Sequence, residues 1–222
     1  LQIPVLVPLP ESNTYLITLS SVRFLGVEDS QQLTIDNDAR LTFQKYISVP
    51  PKLRPLCVDD VVKNEFSRSI FPFDYYNLIQ TQLFFQTYHT DESILLCAPT
   101  AAGKTVIAEL AIARMLEKSK YAKAVYMVPL KAIVQERVAD WKKKFEGLLI
   151  ELTGDFTPDS DAIARARIIV ATPEKWDAVS RGFVVRQFVQ YVSLIIIDEV
   201  HLLGTDRGHI IEAVVDRMKY LH

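Results

Sequence analysis

Two stretches of the chain carry residue types suited to phosphate chemistry. The first is Ala98-Pro99-Thr100-Ala101-Ala102-Gly103-Lys104-Thr105, a short loop ending in a glycine, a lysine and a hydroxyl. The apolar run 94–98 leads into it, and a helical pattern opening Val106-Ile107-Ala108 leads out. Strand, loop and helix in that order aim successive backbone N–H groups, and the positive end of the helix, at the phosphates of a nucleotide. In such a loop Lys104 reaches the outer phosphates and the Thr105 hydroxyl binds Mg²⁺, while Pro99, Thr100, Ala101, Ala102 and Gly103 form the cradle. The loop departs from G-x-x-x-x-G-K-[ST] at Ala98, and Ala101 stands where many such loops carry a second glycine. If position 101 needs a positive φ, alanine there costs roughly 1 kcal/mol and is expected to tax nucleotide binding.

The second stretch is Leu194-Ile195-Ile196-Ile197 followed by Asp198-Glu199-Val200-His201. Four apolar residues ending in two acids predict a buried strand whose C-terminal end opens into a site, where parallel sheets bind their ligands. Asp198 is placed to hold Mg²⁺ through water, and Glu199 to orient and deprotonate an attacking water. His201 can bridge the site to a moving neighbour. Each pattern alone is ordinary: a chance Gly-Lys-Thr, or a strand ending in solvated acids. Together, a domain's length apart, they favour one nucleotide site.

The elements that must position these groups follow from periodicity. Short apolar runs at 124–128, 149–152, 168–171 and 194–197 predict strands, and helical spacing covers 133–145 and 161–165. Near-continuous apolar strands separated by helices imply an α/β fold with a parallel sheet covered by helices on both faces. Residues 59–69 and 79–88 also read as helices, with the aromatic cluster Phe71, Phe73, Tyr75 and Tyr76 between them. Gln80, at the start of the second, has the amide to bond the edge of an adenine while an aromatic stacks on its face. The plainer alternative is a surface glutamine on an amphipathic helix.

Residues 1–46 differ in character. The runs 15–19, 21–25 and 40–44 read as short strands, too few for a sandwich of their own. The proline-rich connector Val49-Pro50-Pro51-Lys52-Leu53-Arg54-Pro55-Leu56 follows. The expected organisation is a β-domain tail over 1–46, a linker over 47–58 and the α/β domain over 59–222.

The 222 residues are 49% hydrophobic and carry a net charge of −2. No global basic field advertises nucleic acid, so any such contact must be local. No apolar run nears the about 18 residues of a membrane span. Two distant cysteines, Cys57 and Cys97, the latter in a predicted buried strand, fit a reducing compartment without a disulfide. The chain opens on Leu1 with no secretory leader pattern, and the expectation is a segment of a longer polypeptide.

With both phosphate-site stretches in hand, the chain resembles the first RecA-like domain of a superfamily 2 helicase. Pro129-Leu130-Lys131-Ala132, Leu152-Thr153-Gly154-Asp155 and Ala171-Thr172-Pro173-Glu174-Lys175-Trp176-Asp177 are similar to the strand-gripping motifs of its Ski-like branch. Lys131, Thr153, Gly154, Thr172 and Pro173, with Pro129, suit a sequence-blind grip on a phosphate backbone. Thr172-Pro173 also reads as a helix start, with Thr172 as cap, and the two roles are compatible. The basic run Lys142-Lys143-Lys144 reads as a solvated helix face.

The segment 73–83, Val134-Gln135-Glu136-Arg137-Val138 and 174–181 resemble the second cassette of large tandem-cassette helicases. Residues 1–46 then resemble the end of the preceding Ig- or fibronectin-like β-sandwich. The resemblance implies ATP and Mg²⁺ as ligands and 3′-to-5′ unwinding of nucleic acid, RNA or DNA, held as a single strand. It implies a second RecA-like domain and a first cassette in the full chain. It further implies a multiprotein complex, nuclear and cytoplasmic residence, no membrane, and roles in stalled-ribosome clearance and alkylation-damage repair. The alternatives are a spliceosomal RNA helicase cassette, or a weakly active cassette that serves as a docking platform. A phosphate-loop enzyme of small-molecule metabolism leaves the Thr153 and Thr172 motifs unexplained.

Overall fold

A computed structural model describes residues 14–20, 28–34, 53–154, 158–182, 184, 186–205 and 208–221. The chain divides into two compact units, Leu1–Pro51 and Lys52–His222.

In the first unit β1 (Thr14–Ser20) pairs antiparallel with β2 (Glu28–Thr34), Thr14 facing Thr34 and Ser20 facing Glu28. The expected strand 15–19 lies within β1. Nothing in the pattern announced β2, because Glu-Asp-Ser-Gln-Gln-Leu-Thr has one apolar residue and a ladder needs none. The runs 21–25 and 40–44 and the connector 47–52 fall outside the described residues.

The second unit begins with α1 (Val58–Val61), α2 (Glu65–Ser69) and α3 (Leu78–His89). The single helix expected over 59–69 is broken in two. The Asn64 side chain accepts from the Ser67 N–H at 3.0 Å, starting a new helix where the old one would have continued. There follow α4 (Lys104–Lys118), β3 (Lys123–Met127), α5 (Lys131–Lys144), β4 (Leu149–Leu152), α6 (Ser160–Arg165), β5 (Ile168–Ala171), α7 (Pro173–Ser180), β6 (Val192–Ile197) and α8 (Gly208–Leu221).

The four strands β3 to β6 form one parallel sheet in the order β4-β5-β3-β6. Alternate residues of β3 and β5 enter two different cores. Ala124, Tyr126, Ile168 and Val170 pack with α3, α4 and α5 on one face. Val125, Met127, Ile169 and Ala171 pack with α7, α8 and the 3-10 turn 187–191 on the other. Strands buried on both faces must be apolar at every position, which is why these runs show no alternation.

One predicted strand is absent. Among the described residues, 94–98 pair with no other strand; Leu95 is 73% exposed and Cys97 is exposed rather than buried. Apolar β-prone residues make a strand only when a ladder partner accepts their backbone groups. Among the described residues β6 is instead the sheet's edge strand.

Candidate functional site

The direction of α4 orients the site. Its last turn leads through residues 119–122 into the start of β3, and Arg167, just before β5, donates to the Ser119 and Ala122 carbonyls at 2.6 and 2.5 Å. The C-terminus of α4 therefore lies at the edge where the strands begin. The helix rises about 22 Å over its length and packs along β3 and β6, so its N-terminus and the loop before it reach the edge where the strands end. Asp198 and Glu199 follow β6 at that same edge, the Asp198 N–H bonded to the Met127 carbonyl at 2.9 Å.

The loop's shape is imposed from α3. Asn77 and Gln80 form a capping box: Asn77 Oδ1 accepts from the Gln80 N–H, and Gln80 Oε1 from the Asn77 N–H, both at 2.9 Å. Their remaining amide groups clasp the loop. Asn77 Nδ2 donates to the Ala102 carbonyl at 3.0 Å and Gln80 Nε2 to the Gly103 carbonyl at 3.3 Å. Gln80 is buried at 5% exposure, which overturns the reading of a surface glutamine. Its amide is turned to the loop. Asn77 was missed altogether; the legible signal was the Asn-x-x-Gln spacing at a helix start.

Gly103 is favoured by its backbone: its φ is +81°, and a Cβ there, 2.2 Å from Gln80 Nε2, would also push the Gln80 amide off its clasp. Ala101 does adopt a left-handed conformation, φ +63°. Because the clasps from α3 hold the loop in this shape, the strain belongs to the fold rather than to ligand binding. This revises the expected tax on affinity. Ala101→Gly is expected to stabilise the domain by about 1 kcal/mol, raising the thermal midpoint by roughly 2–4 °C, with nucleotide affinity unchanged within two-fold. Calorimetry and titration check the two parts.

Lys104 opens α4 and turns its ammonium back over the loop, Nζ donating to the Ala98 and Pro99 carbonyls at 3.0 and 3.4 Å. Thr105 is half-buried behind it. Glu199 also has a left-handed backbone, φ +56°, with its N–H bonded to Asp198 Oδ1 at 3.0 Å. Its carboxylate lies 3.2 Å from His201 Nδ1, so His201 contacts the candidate base itself.

A residue no motif singled out completes this corner. Tyr126, buried in β3, donates its hydroxyl to Asp198 Oδ2 at 2.8 Å. Burial first, then the Asp198 charge and hydrogen bond, push the phenol well above its ordinary pKa, so it stays a donor. The ring packs edge-on against Trp141 of α5, whose indole N–H donates to buried Glu109 of α4 at 2.8 Å. Lys144 reaches the same Glu109 oxygen at 2.7 Å, so of the basic run only Lys142 and Lys143 form the solvated face expected. Tyr126→Phe should leave the fold intact and free Asp198 to rotate. We expect the apparent Mg²⁺ requirement for nucleotide hydrolysis to rise about ten-fold or more, in line with one lost hydrogen bond to a charged group.

The other motif residues end the remaining strands at this edge. Pro129 is buried and Lys131 begins α5 after β3. Thr172 caps α7 after β5, its hydroxyl accepting from the Lys175 N–H at 3.4 Å, with buried Pro173 at the first helical position. Thr153 and Gly154 follow β4. Thr153 is fully buried, its hydroxyl donating to Glu151 at 3.1 Å, which removes its side chain from any direct grip and leaves exposed Gly154 as the presented backbone. Behind Thr172, Asp177 is bonded by Arg181 and Arg217 at 2.6 and 2.8 Å, tying α7 to α8. Burial drives that carboxyl up, and the two guanidinium bonds outweigh it, holding it below the usual range.

The strand order therefore lays out the edge as Gly154, Thr172 and Pro173, Lys131, then Asp198 and Glu199. Strand-gripping motifs lie toward one end and the acidic motif at the other. Residues 77–222 match the DEAD/DEAH box helicase family. This chain belongs to that family. The helicase domain is 46% identical, over 99% of this chain, to activating signal cointegrator 1 complex subunit 3 of Gallus gallus. It is 40% identical, again over 99%, to the RQC trigger complex helicase SLH1 of Saccharomyces cerevisiae. It spans only 10% and 11% of those relatives. Its fold is shared with the DEAD-box helicase Mss116 bound to ssRNA and UDP-BeF, with a TM-score of 0.65 at 17% identity over 76% of this chain and 38% of that one. The DUF1998 helicase MrfA bound to DNA and AMPPNP gives 0.59 at 19% identity, over 71% and 24%. The helicase domain is thus a RecA-like core, and its family implies ATP as the nucleotide.

The donor groups fit Mg²⁺. The Thr105 hydroxyl and Asp198 carboxylate are hard oxygen ligands, and this ion is commonly held by one or two carboxylates with the substrate's own phosphates.

Proposed function

We propose that this domain is the ATP-binding half of a motor that moves along single-stranded nucleic acid in the 3′-to-5′ direction and unwinds it. The observation that carries the proposal is the shared edge. The loop before α4, the acids after β6 and the motifs after β3, β4 and β5 all open there, so a change at the phosphates is one sheet's width from the strand grip.

In this reading residues 99–105 wrap the triphosphate through backbone N–H groups, and Lys104 exchanges its carbonyl partners for phosphate oxygens. Mg²⁺, held by Thr105 and Asp198, would offset charge on those oxygens. Glu199 takes a proton from the attacking water, and His201 steadies its carboxylate. Gln80 Nε2 gives one proton to the Gly103 carbonyl and keeps a second for an adenine edge, which would link base recognition to loop shape. Lys131, the start of α7 at Thr172 and Pro173, and the Gly154 backbone hold phosphates of the strand.

The missing arginine finger comes from a second RecA-like domain, so this domain alone is expected to hydrolyse ATP slowly. A first cassette, a multiprotein complex, residence in nucleus and cytoplasm, and work on stalled ribosomes or alkylated DNA follow from the same reading. The names of the relatives support the complex and, for SLH1, the ribosome-associated role.

The test is a titration of full-length protein with a labelled 10-nucleotide strand. Lys131→Ala combined with Thr172→Ala should weaken binding roughly ten-fold by removing phosphate contacts, with ATP affinity retained. Unchanged strand affinity would refute the grip.

A further inference from the structure

The edge opposite the nucleotide loop carries a cleft that the motor does not use. It has a volume of about 240 Å³ and is lined by Lys120, Lys123, Arg165 and Arg167, with Tyr121 and Tyr191 beside them. These residues precede or begin β3, β5 and β6, so the cleft crosses the ends where three strands start. Among the described residues no carboxylate lines it.

Two of the cations are built into the wall. Lys123 is buried at 4% exposure, its Nζ donating to the Ala164 carbonyl at 2.6 Å and to that of Ala166. Arg167 donates to the Ser119 and Ala122 carbonyls. Neutral carbonyls orient these groups without cancelling their charge. Burial, and to a lesser degree the neighbouring Arg167 charge, lowers Lys123 to about 8. Lys120 is exposed, and so are the two tyrosines, at 74% and 52%. Four positive groups in a chain of net charge −2 are a local feature.

We infer that this cleft binds phosphodiester groups of single-stranded nucleic acid, with bases stacking on Tyr121 and Tyr191, as a second contact for the strand on the far edge of the sheet. Its volume suits phosphate and part of a sugar rather than a whole nucleotide. Cations tracking a backbone, interleaved with aromatic rings, are the usual features of a sequence-tolerant single-strand surface. An acidic peptide is less suited, because Ala164 is the one aliphatic residue in the lining and the two exposed rings are flat faces of the kind bases stack on. The inference rests on the nucleic-acid reading above. The two edges are about 16 Å apart along β3, so a strand must be long to engage both.

Strand length separates the two proposals. Full-length protein is titrated with labelled 10- and 40-nucleotide single strands at several salt concentrations. Lys120→Glu with Arg165→Glu should weaken the 40-mer about ten-fold or more and flatten its salt dependence by between one and two units of log–log slope. The 10-mer and the strand-free ATPase should be unchanged. Charge-neutral Tyr121→Ala with Tyr191→Ala should cost the 40-mer at least about five-fold, and the charge-matched Lys142→Glu with Lys143→Glu should cost nothing. Wild-type 40-mer affinity and salt slope in the Lys120/Arg165 variant would overturn the inference, as would an equal loss in the Lys142/Lys143 control. Loss of a protein partner with 40-mer affinity intact would overturn it too. Failure of the 10-mer to bind wild-type protein would count against the motor edge instead.

Discussion

Lys104→Ala is expected to weaken binding of a fluorescent ATP analogue to the full-length protein by about ten- to a hundred-fold. The side chain starts a helix and folds over the loop, within 3.0 Å of the Ala98 carbonyl. A phosphate oxygen in place of that carbonyl turns a bond to a neutral acceptor into an ion pair, and such bonds are worth about 1.5–3 kcal/mol each. Alanine is the best helix former, so α4 should still begin at this position. The carbonyls left behind lie on a loop open to water, so stability should change by less than about 1 kcal/mol. The informative pattern is a large loss of affinity with a nearly unchanged thermal midpoint. Equal affinity in the variant would remove the loop from the site; a collapsed midpoint would make the lysine structural.

Glu199→Gln has the larger kinetic effect. Glutamine has the same shape and can adopt the same left-handed backbone, but its amide accepts no proton. We expect kcat of the full-length protein to fall by about 10²–10⁴-fold, the usual contribution of a positioned general base, while nucleotide affinity stays within about three-fold. Single-turnover hydrolysis with saturating ATP separates chemistry from product release. Turnover within a few-fold of wild type would show that another group takes the proton, with His201 the first to examine because it touches Glu199.

The two variants probe two motifs at one edge of the sheet, and together they test whether they form one site. If Lys104→Ala abolished binding while Glu199→Gln changed nothing, the loop would be a nucleotide site detached from the acids. That outcome would favour a docking cassette over a motor.

What could be read without the fold was chemistry tied to local order. Gly103, Lys104 and Thr105 form a recognisable unit because a phosphate loop is made by consecutive backbone groups, and Asp198-Glu199 stands out because it closes an apolar strand, one that proves half-buried rather than buried. The strands 149–152 and 168–171 were legible to the residue, the second because it is buried on both faces and the first because its apolar residues flank a single charge at the sheet's edge. Thr172 as a helix cap was legible for the same local reason.

What the tertiary structure decided were relations between distant segments. Residues 94–98 have a strand's composition yet no ladder, since pairing depends on a neighbour that composition cannot supply. Gln80 has the right chemistry for an adenine but is drawn onto Gly103 by a helix cap it shares with Asn77, and Thr153 is sealed in the core. Tyr126 could not be told from any other core aromatic until β3 and β6 were placed side by side, putting its hydroxyl on Asp198. Lys120, Arg165 and Tyr191 stand just before three different strands, and only the parallel alignment of β3, β5 and β6 gathers them at one edge. The identity of each reactive group is local and is written in the chain. Which groups face one another is set by strand order, and strand order is settled by burying both sides of the sheet at once.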